Sequence, residues 1–329
     1  MLNGAKAKML DLLANREVDG VVALGGASMA IFGSHLMRVL PFGVPKVIAT
    51  PAAMPAYLDK WFDAMDVQVM QVIMEFTGMN GLLKNAIGQV AGVISGAVEE
   101  SLSYTSLKLP ARSVAITEIG FTPACSHQVT RLMQAGGYNV FPFHAQGISE
   151  RAMEKLIDQG FFEGVIDIVP AGVIEEMFGG NRAAGKERLD AFARKDIPLV
   201  LAPSCINLTG SGPTRKNREK YAAGPQWKMD ELRSMTRYPT DDLRQAASVY
   251  AEKLNKAKGP VRVVAPLKGW SAIDREGSAL YNPTEDRIFI DELVSRLDGR
   301  IGIVEVPCNL EDVQFAEALI DNLKAIFDR

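Results

Sequence analysis

Short, continuously apolar runs alternate with helical patterns along most of this chain. A run that is apolar at successive positions, rather than at every second one, is typical of a strand covered on both faces. The segments between the runs, such as SERAMEKLIDQG and GKERLDAFARKD, have the spacing of amphipathic helices. Strands that alternate with helices predict βαβ units and a parallel sheet. We predict strands within residues 18–24, 45–50, 112–120, 138–144, 164–170, 197–203, 261–266 and 301–307.

The polar segment at residues 101–110 ends in a proline and separates a helical stretch from a fresh strand, so it predicts a domain boundary. We therefore divide the chain into an N-terminal α/β domain, residues 1–106, and a C-terminal α/β domain, residues 107–329. The N-terminal domain contains only two clear strands, and two parallel strands make a poor sheet. Either part of the other domain completes this domain, or the chain lacks a segment that related chains carry.

Residues 52–103 are rich in methionine and have a helical pattern, with Gly88, Gly92 and Gly96 on one helical face. A stripe of glycines allows a second helix to approach closely. Three interpretations stay open at this point: tight packing within one subunit, a contact between two subunits, or contact with a ligand. The second interpretation predicts a homo-oligomer, with a dimer as its simplest form.

Composition narrows the classes of protein and of partner. Hydrophobic residues make up 47% of the 329 residues and charged residues 23%, which is ordinary for a globular protein. The formal net charge of -3 provides no basic field, so we expect neither a nucleic acid nor a membrane as partner. Three scattered cysteines without a CxxC pair fit the reducing cytoplasm, and a total of three histidines argues against a metal site. We recognise no secretory signal, and the longest apolar stretch, residues 86–98, is too short to span a bilayer.

Open parallel sheets bind ligands beyond the carboxyl ends of their strands, so the candidate site residues lie in the turns that follow the strands. The turn after the first strand reads Gly25-Gly26-Ala27-Ser28 and opens a helix. Backbone N–H groups at a helix N-terminus hold anions, and glycines allow a close approach. Thr50, which ends the second strand, joins the same set of candidate residues. The alternative is a plain tight turn in which Ser28 only caps the helix.

Two further turns carry groups suited to nucleophilic or acid–base chemistry. Thr122 and Cys125 lie at a predicted helix start, where the helix dipole is expected to lower the pKa of a thiol. His144 ends another strand, a position that suits acid–base work or hydrogen bonding to an anion, and Arg151 follows it. The structural alternatives are a capping threonine with an inert buried cysteine, and a buried, hydrogen-bonded histidine.

The turns nearer the C-terminus add Ser204, Lys268 and Ser271 as candidate anion-binding residues. Lys268 neutralises a phosphate or a carboxylate in one interpretation and is an ordinary solvated turn residue in the other. Residues 208–220 are glycine-rich and then strongly basic. This segment is consistent either with a lid that closes on an anionic group or with a solvated loop.

Several blocks of the chain resemble the ATP-binding family named after the tomato mosaic virus resistance protein. The longest block is FHAQGISERAMEKLIDQGFFEGVIDIVPAGVIEEMFGG, which begins at Phe143. Further blocks are VDGVVALGGAS, RVLPFGVPKVIAT, GPVRVVAPLKGWSAID and the tripeptide Tyr281-Asn282-Pro283. The blocks agree with the family in order and spacing over nearly the whole chain.

The resemblance implies two Rossmann-like parallel-sheet domains, ATP as the ligand and Mg²⁺ as its companion cation. It also implies that the first domain lacks an N-terminal βα segment, because the family's Thr-x-Asp-Thr-Lys-Gly strand would precede Met1. The turn at Gly25 has fewer glycines than the family's turn, and Asn207 stands where an aspartate is usual. Residues that match family motifs are Gly25, Gly26, Cys125, His144, Gly147, Arg151, Ser271 and Asp274.

We therefore predict a nucleotide-binding protein of a family without an assigned reaction, with ATP at strand carboxyl ends between the domains. One alternative is an enzyme acting on a small carboxylate, a carbonyl compound or a phosphorylated metabolite, with His144 and Cys125 as catalytic residues. In that alternative Arg151 or Lys268 holds the anion, and Gly147 belongs to the same crevice. The other alternative is a non-catalytic interaction protein whose contact surface includes the glycine-striped helix.

Overall fold

The computed structural model describes residues 2–53, 63–103, 110–211 and 219–327. The chain divides into two compact units, Met1–Lys108 and Leu109–Arg329, which we call the first and the second unit. None of the described helices combines the length and the apolar composition that crossing a bilayer requires.

The first unit is built on a three-stranded parallel sheet with the strand order β1-β2-β3. The elements, in chain order, are α1 (Leu2–Ala14), β1 (Val21–Leu24), α2 (Ala27–Met37), β2 (Lys46–Thr50), β3 (Gln68–Gln71) and α3 (Gly81–Ser103). The central strand β2 is buried along its whole length, whereas β1 and β3 are partly exposed. Ile48 of β2 packs with Met37 of α2, and Val47 packs with Val90 of α3, so helices cover both faces of the strand.

Strand β3 shows that two predictions for the first unit are wrong, namely a sheet of only two strands and a helical structure throughout residues 52–103. β3 pairs in parallel with β2, from Val47 opposite Gln68 to Thr50 opposite Gln71. Its sequence QVMQ is short and polar at both ends, so it lacks the continuous apolar run that marks the other strands. Within that region the helical pattern is confirmed for α3.

The second unit contains a six-stranded parallel sheet and a smaller antiparallel one. Its strands are β4 (Ser113–Glu118), β5 (Asn139–His144), β6 (Gly164–Asp167), β7 (Leu199–Leu201), β8 (Leu208–Gly210), β9 (Gln226–Lys228), β10 (Ser234–Arg237), β11 (Val261–Pro266) and β12 (Gly302–Val306). The parallel sheet has the order β12-β11-β7-β6-β4-β5. The order of the strands reverses between β4 and β6, and in doubly wound sheets such a reversal opens a crevice at the carboxyl ends.

Helices cover both faces of the parallel sheet, as the continuously apolar strand sequences predict. The helices are α4 (Pro123–Ala135), α5 (Ile148–Asp158), α6 (Gly172–Phe178), α7 (Ala191–Arg194), α8 (Thr240–Asn255), α9 (Pro283–Arg296) and α10 (Val313–Phe327). One apolar cluster lies between one face of the sheet and the helices α5, α6, α7, α8 and α9. A second apolar cluster lies between the other face of the sheet and the helices α4 and α10. The predicted α/β class with parallel sheets is therefore confirmed.

The antiparallel sheet, with the order β8-β10-β9, was not predicted. Its strands are three or four residues long and pair only with one another, so no single segment carries a recognisable strand pattern. Met235 of β10 is buried in the cluster that includes α4, and Trp227 of β9 lies edge-on to Phe121 with ring centroids 6.1 Å apart. The predicted lid or loop at residues 208–220 begins with β8, and its residues 212–218 lie outside the described residues.

The glycine stripe of α3 faces open space within the described part of the chain. A Cβ added at Gly88, Gly92 or Gly96 would meet no atom within 4 Å, and all three positions are exposed. Within the first unit, the described residues therefore show no close packing against this stripe.

A buried guanidinium connects the elements around the reversal between β4 and β6. Arg188 is 1% exposed, and each of its nitrogens donates to a different carboxylate: Nε to Glu150 at 3.0 Å, Nη1 to Glu154 at 3.0 Å and Nη2 to Asp167. Asp167 ends β6 and also accepts a hydrogen bond from Thr117 Oγ1 of β4 at 2.7 Å. We call these residues the Arg188 network. A single side chain thus joins α5 to the carboxyl ends of β4 and β6.

Replacing Arg188 should destabilise the second unit severely, because Arg188→Met leaves three buried carboxyl groups without their cation. Breaking a buried ion pair from one side costs about 3–5 kcal/mol. We expect a loss of at least this size in the free energy of unfolding, measured by urea denaturation of the full chain. Arg194→Met is the control, because Arg194 pairs with Asp158 on the surface and exposed pairs contribute about 1 kcal/mol or less. Equal losses in the two variants would contradict a central role for the Arg188 network.

Candidate ligand-binding sites

The glycine turn of the first unit lies at the carboxyl edge of its sheet. Gly25 N donates to Ala49 O at 3.1 Å, so the turn that follows β1 lies beside the end of β2, where Thr50 is fully buried. Thr50 Oγ1 accepts a hydrogen bond from Ala52 N at 3.2 Å. The structure therefore brings Gly25, Gly26 and Thr50 to one edge, as parallel strand ends require.

The N-terminus of α2 begins at this turn without a side-chain cap. Gly26 is the N-cap residue, and no side chain there accepts a hydrogen bond from the helix. Gly25 has φ of 145°, and a Cβ on it would lie 2.8 Å from Met29 Cγ, so both its conformation and its contact with Met29 require glycine. Ser28 is exposed in the first helical turn. Uncapped N–H groups of this kind are able to hold an anion.

The predicted anion-binding turn around Thr122 and Cys125 holds a carboxylate of the chain itself. Glu311 accepts hydrogen bonds from Ala124 N at 3.0 Å and from Cys125 N at 3.3 Å, at the start of α4. Thr122 is fully buried, and its hydroxyl donates to Ile119 O at 3.1 Å within the same turn. The positive end of α4 is therefore neutralised from inside the protein.

The expectation of a low thiol pKa at Cys125 is wrong. Cys125 is 1% exposed, and burial, followed by the charge of Glu311, raises the pKa of the thiol well above its usual value. The helix dipole is offset by the carboxylate that lies on the same N–H groups. A neutral, buried thiol is a poor nucleophile, so the structure matches the alternative of an inert cysteine.

His144, Gly147 and Arg151 lie together at the end of β5 and the start of α5. His144 is exposed at the end of an edge strand, which differs from the buried histidine of the structural alternative. Gly147 has φ of 87°, and a Cβ on it would lie 2.4 Å from Ala183 O. Its N–H donates to Glu150 Oε2 at 2.9 Å, so the start of α5 is closed by its own acidic side chain. Arg151 is half-buried in the first turn of α5.

Ser204 and Ser271 are both fully buried near the carboxyl ends of β7 and β11, and Lys268 is exposed. Ser204 Oγ donates to Trp270 O at 3.0 Å. Ser271 Oγ has no hydrogen-bond partner among the described residues, and its backbone forms an isolated bridge with Asp274. The two serines thus belong to a buried polar region, whereas Lys268 lies at its surface.

That polar region contains a pair of buried acids, Asp274 and Asp286. Asn207 Nδ2 donates to Asp274 at 2.7 Å and to Asp286 at 2.8 Å, and Arg237 donates to both. Burial, and then the neighbouring charge of Asp274, raises the pKa of Asp286 to about 7. Burial also raises the pKa of Asp274. Because one cation faces two close carboxyl groups, the pair retains a proton more readily than isolated aspartates do.

Several of the groups just described carried no signal in the sequence. Arg188 and Asp286 occur in polar helical or loop segments, and Arg237 ends the short strand β10, which lacks an apolar run. A charged residue in such segments usually faces solvent. Asp286 reads as an ordinary acidic residue in the first turn of α9, where the helix dipole favours it. Only their contacts with residues far away in the chain mark them as buried. No group of three or more His, Cys, Asp or Glu side chains within the described ranges is arranged to hold a metal ion.

The six-stranded sheet, its helices on both faces and the reversal at β4 and β6 define a doubly wound α/β protein with its candidate sites at strand carboxyl ends. Sequence comparison then identifies the family. The C-terminal domain of the uncharacterised protein family UPF0261 matches residues 111–327, and the N-terminal domain of the same family matches residues 1–103. The chain belongs to the UPF0261 family.

Its relatives include plant and bacterial proteins. The ToMV resistance protein Tm-1(GCR237) of Solanum lycopersicum is 32% identical over 322 residues, which are 95% of this chain and 42% of the tomato protein. The ToMV susceptible protein tm-1(GCR26) of the same plant is also 32% identical, over 93% of this chain and 41% of its own length. A UPF0261 protein of Clostridium tetani is 30% identical over 98% of this chain and 80% of its own length. The chain thus spans less than half of the length of the tomato proteins. The family resemblance expected from the sequence is confirmed.

The acid pair should make stability depend on pH through Asp286. Its pKa is raised to about 7 in the folded protein, against about 3.9 in an unfolded chain, so the folded state binds the extra proton. Wild-type stability should therefore fall as pH rises between about 4 and 7, by up to about 1.4 kcal/mol per pH unit, and the contribution of this group should level off above that range. Asp286→Asn should remove the contribution of this group to the dependence, because the amide oxygen still accepts from Arg237 and exchanges no proton, while Asp274 keeps its own raised pKa.

Urea denaturation at several pH values between about 5 and 8 measures this effect as the difference in unfolding free energy between the wild type and the variant. Asp291→Asn, which replaces an exposed aspartate on the same helix α9, is the matched control and should leave the slope unchanged. Parallel pH profiles for the wild type and Asp286→Asn would show that Asp286 carries no shifted proton.

Proposed function

We propose that the first unit binds the phosphate groups of a nucleotide, with ATP and Mg²⁺ as the first candidates, at the turn that contains Gly25 and Gly26. The observation that carries the proposal is the uncapped N-terminus of α2 at the carboxyl edge of a parallel sheet. Backbone N–H groups at such a position bind phosphates through hydrogen bonds and through the helix dipole. The expectation of ATP comes from the family resemblance of the flanking blocks.

The contrast between the helix starts supports the choice of this turn. At the start of α4, the N–H groups of Ala124 and Cys125 donate to Glu311. At the start of α5, the N–H group of the N-cap residue Gly147 donates to Glu150. Each of these helix starts therefore already has an internal carboxylate on a backbone N–H group. At α2 the N-cap residue Gly26 provides no side-chain cap. We therefore assign the external anion to α2, the one of these three helix starts without a carboxylate hydrogen-bonded to its N–H groups among the described residues.

Glu75 should make nucleotide binding at this turn depend on Mg²⁺. Its Oε2 lies 3.7 Å from the position that a Cβ of Gly26 would occupy, so a carboxylate lies close to the proposed phosphate position. A phosphate bound at this turn would be repelled by that carboxylate. A Mg²⁺ ion bound with the nucleotide offsets that repulsion, so ATP with Mg²⁺ should bind more tightly than ATP alone.

The proposal is tested by adding a charge at Ser28, an exposed residue in the first turn of α2. Ser28→Glu brings a carboxylate to the N–H groups, where a first-turn acid stabilises a helix. The fold should therefore persist while ATP binding, measured by calorimetry on the full chain, weakens at least about tenfold, which corresponds to about 1.4 kcal/mol. Ser28→Gln, with nearly the same shape and no charge, is the control for bulk.

Two outcomes would contradict this proposal. The first is that the wild-type chain shows no heat of binding and no thermal stabilisation with millimolar ATP, with or without Mg²⁺, since a ligand of the native state must stabilise it. The second is equal ATP affinity of the Ser28→Glu and Ser28→Gln variants, which would mean that the nucleotide binds elsewhere.

For the glycine stripe, we propose a contact between two copies of the chain through α3. The stripe is exposed, and the Cβ positions of its glycines are free of contacts with the described residues. Small residues spaced by four allow two helices to approach closely. This proposal keeps the second of the three interpretations left open by the sequence.

Substitution by leucine tests the contact between copies. Gly92→Leu should favour the helix itself, because leucine is a better helix former than glycine, while its side chain keeps a second helix at a distance. We expect the dimer dissociation constant to rise at least about tenfold in sedimentation or light-scattering measurements. Gly4→Leu is the matched control, since Gly4 is an exposed glycine of α1 with equally free space. A wild-type chain that is monomeric at all concentrations would refute the proposed contact.

The enzyme alternative receives no comparable support. Of its two candidate catalytic residues, Cys125 is buried, and burial raises the pKa of its thiol. His144 is exposed and remains a candidate residue.

A further inference from the structure

The exposed side of α3 carries no charge over its central turns. The helix has 23 residues, and its other side packs on the sheet of the first unit through Val90 and Ile94. Between residues 85 and 98, the exposed positions are Asn85, Gly88, Gln89, Ala91, Gly92, Ser95 and Gly96. All of these residues are small or bear a neutral amide. A helix face that meets water usually carries charges, whereas the centre of a protein contact is depleted of them.

The charged residues of α3 lie at the ends that the dipole of the helix disfavours. Lys84 is exposed near the N-terminus, and Glu99 and Glu100 are exposed near the C-terminus. The first turn contains no acid, and the last turn contains no base. A helix dipole favours acids at its N-terminus and bases at its C-terminus, so both groups of charges oppose it. Charges from a neighbouring helix are able to offset this unfavourable arrangement.

An antiparallel second copy of α3 provides the matching charges. In such a pair the N-terminus of each helix lies beside the C-terminus of the other, so Lys84 of one copy meets Glu99 of the second copy. Lys84 and Glu99 lie on the same side of the exposed face, because they are only about 60° apart around the helix axis. Midway between them along the helix are Ala91 and Gly92, whose small size allows the two helices to approach closely at the two-fold axis.

Other arrangements of the same residues do not match the charges. Within one copy, Lys84 and Glu99 are separated by about 22 Å along the helix, so they cannot form an ion pair with each other. In a parallel pair, Lys84 would face Lys84 of the second copy, and Glu99 would face Glu99. Only the antiparallel pair brings opposite charges together, and it does so twice, because a two-fold contact is the same for both copies.

Apolar side chains beside the N-terminus of α3 extend this surface. Ile73, Met79 and Leu82 are 87%, 65% and 63% exposed, more than any other large hydrophobic residue in the described ranges. In the antiparallel pair they lie next to the C-terminal end of the other α3. A stable interface buries about 800 Å² on each partner, so a helix pair gains from apolar surface at its ends. Such exposed apolar patches are typical of protein contacts.

We infer that two copies of the chain associate through antiparallel α3 helices, with Ala91 and Gly92 at the two-fold axis and Lys84 of each copy against Glu99 of the other. The inference rests on the contact between copies proposed above, and it adds the orientation, the register and the ion pair that selects them. Charge pairs of this kind fix the register of a contact and suppress alternative ones.

The test reverses each charge of the pair in the full chain. Lys84→Glu places an acid against Glu99 of the second copy, and Glu99→Lys places a base against Lys84. Each homodimer then contains two like-charged pairs, so its dissociation constant at low salt should rise at least about tenfold in sedimentation measurements. Each new charge also lies at the helix end that the dipole favours, so the fold should persist in both variants.

The double variant decides the orientation. Lys84→Glu combined with Glu99→Lys restores opposite charges in the antiparallel register, so dimer affinity should return to within about threefold of the wild type. In a parallel pair the single reversals would leave like charges opposed as before, and the affinity would not fall. Lys8→Glu is the control for charge reversal on the first unit, since Lys8 lies on the surface of α1 and pairs with Asp11 of the same helix.

The possible failures are distinguishable. A wild-type chain that is monomeric at all concentrations would overturn this inference together with the proposed contact. A dimer that Gly92→Leu dissociates, but that the single charge reversals do not weaken, would uphold the contact and refute the antiparallel register. Single variants as weak as expected without recovery in the double variant, or an equal loss in Lys8→Glu, would also refute the ion pair. The nucleotide proposal is tested separately at Ser28.

Discussion

The second unit depends on a single guanidinium that is completely surrounded. Arg188 lies against Asp167, Glu150 and Glu154, and Glu154 also accepts hydrogen bonds from two backbone N–H groups, those of Leu189 and Ala191. Burial raises the pKa of both glutamates, while the positive charge of Arg188 opposes that effect. Such a cluster is costly to desolvate, and it is tolerated where every donor and acceptor is matched. Its consequence is positional, since it fixes α5 relative to the strand ends that form the crevice.

Two buried arginines of the same unit differ in how completely their nitrogens are hydrogen-bonded. Each nitrogen of Arg188 donates to a carboxylate of the protein. Arg182 is nearly as buried, but its Nη1 has no hydrogen-bond partner among the described residues. The relevant difference is therefore hydrogen-bond capacity and not charge, because both cations face acids within the fold.

The sequence predicted the parts of the fold that depend on local pattern. Every strand of the six-stranded sheet lies within a continuous apolar run of the sequence, because helices cover both faces of the sheet. β3 and the antiparallel strands were missed, since they are short and owe their structure to pairing with distant segments. The position of the glycine turn at a sheet edge was predictable, because strand ends of a parallel sheet share one edge. Arg182 was not, since only the contacts with Glu175 and Leu208 reveal that it is buried.

The limit to local pattern also applied to the pKa values of individual side chains. The helix dipole alone predicts a lowered pKa for Cys125, which is the wrong direction. The dipole can be inferred from the local sequence, whereas Glu311 is far from Cys125 along the chain. The pKa of a side chain at a helix start therefore depends on which group accepts hydrogen bonds from the first N–H groups of that helix. At α2 the N-cap residue makes no side-chain cap, whereas at α4 the acceptor is a residue from the other end of the unit.

Glu311 and Ala124 are separated by 187 residues along the chain. Loop closure over such a length is slow and has an entropic cost, and proteins are synthesised from the N-terminus. Glu311 is therefore synthesised long after the start of α4. Until Glu311 reaches this turn, the N–H groups of Ala124 and Cys125 lack the carboxylate that accepts their hydrogen bonds in the folded chain.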